Sequence, residues 1–436
     1  MTLLFAACGQ TPQSNESAED VNVNISKDTK ANLVALVDMD DKERTLLETV
    51  ATEFKKEYPN ITVEVVTTSD PISYVRSGDQ VDILTVIGEN VSFYASENIL
   101  TNLEPYKTAA DFDESAYYQS MIDLGKESKS GDSYMLPRDY SRIVCFYNKE
   151  IFDACGVAYP EDTAENPWTW EKYLSVCEQL QKSGKLGNGV VATQAAMSYD
   201  ILNWGIVSSY GVDGLLTDDY SLVPNDGETY RNWQKGMAAA RELVEKGYSL
   251  DSNTYGADDF YRGAAAMAFL STASTANFTR AGLDYDVLPF PAIGDNPKAP
   301  AGTCGYSIAK SSKNKDAAWA FLAFIMSEKG QLAMSKTGGF VPALKSLATD
   351  ETSSWRTMLN GKGHEINTAN MISYQERDVI ANWFGSLPAG AANSYKNFYN
   401  EFLVKVCDGK SSFAAAYSVF KNKINTLKLD YPEYFV

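Results

Sequence analysis

The alternation of strand and helix that begins at Asn32 constrains this chain more than any other feature. Leu33 to Val37 is a short apolar run of the buried-strand kind. Asp40-Asp41-Lys42-Glu43 follows it as a capping box, with Asp40 as N-cap and Glu43 three residues on. The spacing then predicts a helix with Leu46 or Leu47, Val50 and Phe54 on one face, stopped by Pro59 and Asn60. Ile61, Val63 and Val65 alternate as a second strand, and Val81 to Ile87 reads as a third, with Asp82 at its start. A strand–helix–strand run with short connections implies a parallel sheet covered by helices, with right-handed crossovers. Such sheets bind ligands in the loops beyond their carboxyl ends. After the first strand those loops hold Asp38, Asp40 and Asp41, and after the third Gly88, Glu89 and Asn90.

One sheet does not account for 436 residues, because a single core rarely grows past ~250–300. Two α/β lobes are expected. A second lobe begins near Asp139, with a strand at Ile143 to Tyr147 and a helix from Trp170 to Gln181 capped by Thr169. Tyr199 to Tyr210 and Tyr230 to Lys246 read as helices, the latter with Trp233, Met237, Ala240, Leu243 and Val244 at helical spacing. Lys315 to Lys329 is another, with Trp319, Leu322, Ala323 and Met326 inward and Gly330 at its end. A last helical pattern runs from Phe413 to Leu427, and no internal repeat is visible.

Charge and histidine usage remove whole classes of function. With 38 basic and 57 acidic residues the net charge is −19. Nucleic-acid binding needs clustered Lys and Arg, so this balance argues against it. It argues equally against an anionic ligand drawn in by a broad positive field, and otherwise it serves solubility. Triad catalysis and histidine zinc sites would all have to pass through His364, which sits in the loop-like Gly361-Lys362-Gly363-His364-Glu365. The longest apolar run, Ala317 to Met326, is about half of the ~20 residues a bilayer span needs. Cys145, Cys155, Cys177, Cys304 and Cys407 form no CxxC pair, and their odd number cannot be fully bridged within the chain. Cys177 falls on the apolar stripe of Trp170, Leu174 and Leu180 and reads as a core residue. No metal and no disulfide framework is expected.

Thr2-Leu3-Leu4-Phe5-Ala6-Ala7-Cys8-Gly9 resembles a bacterial lipoprotein signal box, with small residues before the cut and Cys8 as the lipidated thiol. Phe5 stands where Leu is usual, and no basic stretch precedes it, which reads as a start placed too late or a trimmed chain. The alternative is a frayed terminus with a chance cysteine. Residues 10–20 are nearly all polar and read as a flexible tether.

Several segments, in order, resemble extracellular solute-binding family one, the maltose-binding-protein-like receptors of sugar ABC importers. Phe54-Lys55-Lys56-Glu57-Tyr58-Pro59-Asn60-Ile61-Thr62-Val63 is similar to that family's first helix–turn–strand. Met135-Leu136-Pro137-Arg138-Asp139-Tyr140, continued by Phe146-Tyr147-Asn148-Lys149-Glu150-Ile151-Phe152, resembles its first crossing between lobes, and Trp168-Thr169-Trp170 the helix start after it. Gly263 to Phe269 resembles a "G-x-x-A-M" strand, Gly305 to Asn314 the return to the first lobe, and Gly339-Phe340-Val341-Pro342-Ala343 the next crossing. The resemblance implies a two-lobed periplasmic-binding-protein-like α/β fold with a ligand cleft between lobes. Residues 32–138 and 300–338 would form one lobe, and 143–288 with 345–436 the other. Residues 1–8 would be a signal remnant and 9–31 a tether. It further implies a monomer without cofactor, lipid-anchored at the outer face of the membrane, that hands sugar to permease subunits.

The site residues follow from the same resemblance. Asp38, Asp40 and Asp41 match a loop that supplies a carboxylate to a sugar hydroxyl, although Asp40 reads equally as a helix cap. Glu89 and Asn90 match a polar contact after the third strand. Asp139, Tyr140 and Ser141 lie at the crossing that floors the cleft; Asp139 is expected to meet ligand, the alternative being a hinge pair with Arg138 or Arg142. Tyr199, Asp200, Asn203 and Trp204 match a helix start whose aromatic faces sugar, although Trp204 alone reads better as core. The family's frequent Trp falls here on Ser271 and Thr272, and its frequent aromatic before the returning strand on Cys304 or Tyr306, with Gly305 between them also a candidate contact. Trp383 and Phe384 could restore a stacking surface. Two rival readings remain. One is a receptor of this fold for a peptide, polyamine or metal chelate. The other is a glycoside hydrolase using Asp258 with Asp259 or Asp38 with Asp40, since hydrolysis needs two carboxylates ~5–10 Å apart.

Overall fold

A computed structural model of the chain describes residues 17–18, 20–38, 41–195, 200–250, 260–338, 340–359, 366–380, 387 and 389–435. The strands are β1 (Ala31–Asp38), β2 (Ile61–Thr68), β3 (Ile83–Ile87), β4 (Leu136–Pro137), β5 (Ile143–Asn148), β6 (Val191–Gln194), β7 (Ala265–Ser271), β8 (Tyr285–Leu288), β9 (Ala299–Ala301), β10 (Cys304–Ile308) and β11 (Asp378–Ile380).

The first sheet has the order β2–β1–β3–β10–β4. β1 lies between β2 and β3 and parallel to both, as the strand–helix–strand run requires. β10 then pairs antiparallel with β3 and β4, so the sheet is mixed and not purely parallel. The cause is the route of the chain, which leaves this sheet after β4 and re-enters from the opposite direction. Leu33, Ala35 and Val37 turn to one face, beneath the helices Asp41–Phe54 and Lys315–Met326, while Leu36 faces the other with Leu84 and Val86. Leu46, Leu47, Val50 and Phe54 are buried on the first of these helices, as their spacing predicts. Each such side chain contributes roughly 1.5–3 kcal/mol. Asp82 is fully buried because four donors meet its carboxylate: Val34 N at 3.0 Å, Gln80 Nε2 at 2.7 Å, Ser312 Oγ at 2.6 Å and Asn314 Nδ2 at 3.2 Å.

The second sheet, β6–β7–β5–β8, has β6 and β7 parallel and β5 antiparallel to both neighbours. Helices Trp170–Lys182, Glu228–Glu245, Ala389–Cys407 and Phe413–Asp430 pack around it in one large core. Trp233 sits inside that core, its ring 4.6 Å from Phe402 and 5.1 Å from Phe413. Cys177 is buried there, as are Cys145, Cys155 and Cys407.

The helix expected over Lys315 to Lys329 is two helices, Lys315–Met326 and Glu328–Gly338. Ser327 breaks it by serving both: its hydroxyl donates to Phe324 O at 2.6 Å and accepts from Gly330 N at 3.2 Å. Gly330 is therefore inside the second helix and not a C-cap. A Cβ there would lie 2.0 Å from Phe324 O, so only glycine allows the two helices to meet this closely. Among the described residues no helix is long and apolar enough to cross a membrane.

Candidate functional site

The segments that cross between the sheets are hydrogen-bonded to one another and form the floor of a cleft. Arg138 N donates to Cys304 O at 3.0 Å, Tyr140 N to Val341 O at 2.9 Å and Gly302 N to Ser141 O at 3.1 Å. Gln331, buried among them, donates to Arg138 O at 3.2 Å and accepts from Ala343 N at 2.7 Å. β9 and β11 pair in parallel beside these crossings. Above the floor lies a pocket of ≈ 250 Å³ lined from both sides. Ile87 and Glu89 come from the carboxyl end of β3, Ser271 and Ala273 from the end of β7, and Arg138, Ser141 and Thr303 from the crossings. That volume falls short of the ~300–1,000 Å³ usual for ligand pockets.

Two buried ionic clusters fix the floor. In the first, Arg138 Nη1 lies 2.5 Å from Glu43 Oε2, and its Nε lies 3.1 Å from Asp139 Oδ1. The Tyr306 hydroxyl donates to Glu43 Oε1 at 2.5 Å, the Thr303 hydroxyl donates to Asp139 Oδ1, and the guanidinium stacks 4.4 Å from the Phe340 ring. Burial works against the Arg138 charge, but Asp139 and Glu43 outweigh it and hold its pKa well above the ordinary value. Asp139 Oδ2 is buried and has no hydrogen-bond partner among the described residues. In the second cluster, Asp378 Oδ1 lies 3.1 Å from Arg142 Nη2, and Asp378 Oδ2 accepts from the Tyr140 hydroxyl at 2.7 Å and the Ser120 hydroxyl at 2.9 Å. Burial pushes the Asp378 carboxyl up from its usual range, and Arg142 with the two hydroxyls partly opposes that. Tyr140 stacks on Tyr118 with ring centroids 3.7 Å apart.

The sequence-derived residues divide by this geometry. Glu89, Ser141 and Ser271 line the pocket, and the Ser141 and Ser271 hydroxyls are 2.7 Å apart. Glu89 also bonds Lys396 Nζ at 2.7 Å, across from the helix Ala389–Cys407. Asn90 follows it, half-buried. Asp139 is buried with its Oδ1 3.1 Å from Arg138 Nε, the pairing that stands as the alternative to ligand contact. Tyr140 and Thr272 are buried in the floor; the Thr272 hydroxyl donates to Tyr140 O at 3.3 Å. Asn203 and Trp204 lie in the second core and not on the cleft, Asn203 accepting from the Tyr399 hydroxyl at 2.7 Å. Tyr306 is buried in the first core, its hydroxyl on Glu43. Gly305 makes strand pairing: a Cβ there would lie 2.2 Å from Leu136 O, so the β10–β4 contact needs glycine.

Asp38 ends β1 and Asp41 opens the following helix, beside β3 at the carboxyl edge of the sheet, and Asp200 opens the helix Asp200–Ser209. The side chains of these three, and all of Cys8, Asp40, Tyr199, Asp258, Asp259, His364, Trp383 and Phe384, lie outside the described residues. Among the described residues no group of three or more His, Cys, Asp or Glu is placed to hold a metal ion. Glu43, Thr303, Asp378 and Lys396 escaped the sequence reading. Only Glu43 carried a signal there, and it pointed to a helix cap.

Known proteins resemble this chain in sequence and in fold. A galactooligosaccharide-binding protein of Bacillus subtilis is 24% identical over 368 residues, 80% of this chain and 80% of its own. An sn-glycerol-3-phosphate-binding periplasmic protein of Escherichia coli is 26% identical over 319 residues, 69% of this chain and 70% of its own. An ABC substrate-binding protein of Listeria monocytogenes, solved with cycloalternan, superposes with a TM-score of 0.73 at 20% identity, covering 91% of this chain and 99% of that one. The profile of the bacterial extracellular solute-binding proteins matches residues 39–332, well over half of the chain. With two α/β sheets bridged by crossing strands over a shared pocket, the chain belongs to the bacterial extracellular solute-binding protein family.

Proposed function

We propose that this protein is the receptor of an ABC importer that takes an uncharged sugar or oligosaccharide between its lobes, residues 32–138 with 300–338 and 143–288 with 345–436. The relatives divide between sugar and glycerol phosphate as named ligands. One observation favours sugar: the guanidinium that lines the pocket, Arg138, is already shared by two carboxylates, Glu43 and Asp139. A phosphate would meet a floor whose positive charge is spent, and its desolvation would go uncompensated. A hydroxyl-rich ligand fits the same floor, because Ser141, Ser271 and Thr303 offer neutral hydroxyls. Asp139 pairs with the lining residue Arg138, and its second oxygen, Oδ2, has no hydrogen-bond partner among the described residues.

Apolar contact comes from Ile87, Leu124 and Ile380 among the described lining residues. Trp383 and Phe384 follow Ile380 in sequence, and with Tyr199 they are the aromatic stacking partners of this reading. Asp38, Asp40 and Asp41 are its hydroxyl-binding carboxylates on the neighbouring strand end. Cys8 is the proposed lipid anchor, which Cys8→Ser should release from detergent into the aqueous phase.

A thermal-shift panel of galactooligosaccharides, maltodextrins, sn-glycerol 3-phosphate and spermidine tests the reading. A ligand at a hundred times its Kd adds about 2.7 kcal/mol to native stability. A sugar should raise the melting temperature while the phosphate ester and polyamine do not. A shift with the phosphate ester or polyamine alone would overturn it.

A further inference from the structure

We infer that Lys396 is a positioning residue that holds the two lobes together through Glu89, so that its pair acts as a latch on cleft closure. This goes beyond the receptor reading in assigning a role to Lys396. Its consequence for affinity rests on that reading, while its consequence for lobe separation does not.

The two ends of the pair belong to different bodies. Glu89 sits in the short turn Gly88–Asn90 that extends β3 of the first sheet and lines the pocket. Lys396 projects from the helix Ala389–Cys407, whose neighbouring residues Tyr395 and Tyr399 are buried in the core of the second sheet. Neither backbone can move toward the other without its whole lobe. Glu89 Oε2 and Lys396 Nζ are 2.7 Å apart, with side-chain exposures of 15% and 40%. The pair is therefore partly shielded on the carboxylate side and open to solvent on the ammonium side.

Rotation about the floor separates these groups, because Glu89 extends a strand of the first sheet and Lys396 projects from a helix of the second core. The bond thus exists only when the lobes are together. An interaction present in one of two states shifts the equilibrium toward that state by its own free energy. It also improves the apparent affinity of any ligand that needs the closed state. Partly exposed ion pairs of this kind shift an equilibrium by roughly one and a half to fivefold, and salt screens them. The latch is thus strong enough to bias closure and weak enough to let the lobes part. The pocket of ≈ 250 Å³ is lined from both sheets, so parting of the lobes widens it.

The decisive measurement is made without ligand. The full chain carries paired dyes at Lys56 and Lys182, exposed sites on the first and second lobes. Lys396→Met and Glu89→Gln should each widen the mean dye separation, and the double variant should widen it no further than either single one. The swap Glu89→Lys/Lys396→Glu should restore the wild-type distance, and added salt should widen the wild type but not Lys396→Met. Unchanged separation in Lys396→Met, or additive effects in the double variant, would overturn the latch.

A second arm titrates a galactooligosaccharide. Here Lys396→Met should weaken binding by roughly one and a half to fivefold, and the swap should recover it. If Glu89→Gln weakens sugar binding while Lys396→Met does not, Glu89 contacts ligand and the latch is wrong. If no sugar binds, the ligand-free distances still decide for or against the latch.

Discussion

Removing the Asp378 carboxylate tests what the crossing segments owe to their buried charges. That carboxylate faces Arg142 at 3.1 Å and accepts from Tyr140 at 2.7 Å and Ser120 at 2.9 Å. The Arg142 side chain is 1% exposed, so Asp378→Ala strands a guanidinium whose remaining acceptors are the carbonyls of Ser373 and Tyr374. Breaking a buried pair from one side costs about 3–5 kcal/mol. The two carbonyls place this case at the lower end, about 3 kcal/mol. Unfolding entropy of about 2.1 cal/mol/K per residue, taken over the whole chain, makes each kcal/mol worth about 1 °C. A thermal melt followed by circular dichroism should therefore fall by about 3 °C. Arg142→Met/Asp378→Leu should recover most of that, since replacing both charges by apolar groups removes the desolvation penalty together with the attraction. A melt unchanged in Asp378→Ala would refute the reasoning. So would a double variant that melts below the single one, because packing and not stranded charge would then be responsible.

Two further outcomes are expected. Gly305→Ala brings a Cβ to 2.2 Å from Leu136 O, so it should cost about 1–3 kcal/mol of stability; a wild-type melt would show that the β10–β4 contact does not need glycine. Tyr117 is held by burial, aided by the charge of Asp113, with a pKa pushed up to about 12, and its hydroxyl donates to Met326 O at 2.9 Å. Because its folded pKa is raised, the stability it contributes is full below its ordinary value of about 10 and is lost as pH rises through about 12. An ultraviolet difference titration should lose a late-ionising tyrosine in Tyr117→Phe, and loss of an ordinary one instead would count against that environment.

Periodicity made the skeleton of the fold legible. Leu46, Leu47, Val50 and Phe54, and likewise Trp233, Met237, Ala240 and Leu243, are buried as helical spacing requires. The strand–helix–strand run correctly gave β1, β2 and β3 as parallel neighbours. The antiparallel β10 was not legible, since pairing direction depends on which body the chain is returning from. The break at Ser327 was also hidden, because an unbroken apolar stripe fits one helix or two, and a serine hydroxyl decided it.

The crossing segments were legible in position, and the partners of their side chains were not. The Arg138-Asp139 segment does lie at the crossing, but which group takes the Asp139 carboxylate depended on Thr303, far away in sequence. Glu43 obeyed a capping rule in sequence, while its carboxylate oxygens are taken by Arg138 and Tyr306. Asn203 illustrates the opposite failure. A polar residue at a helix start suggests a ligand face, but Tyr399 satisfies the Asn203 amide, while Trp204 is core as its own reading favoured. Lys396 had no local signal, since its bond to Glu89 joins residues 307 apart in sequence.

Closure around a neutral sugar is the central claim, and small-angle scattering of the full chain tests it most directly. The radius of gyration is compared without ligand and with saturating amounts of whichever sugar stabilises the protein in the thermal-shift panel. Sugar that contacts both lobes favours the state in which they are together, so the account predicts a smaller radius with sugar and none of that change with sn-glycerol 3-phosphate. An unchanged radius at saturating sugar would contradict it.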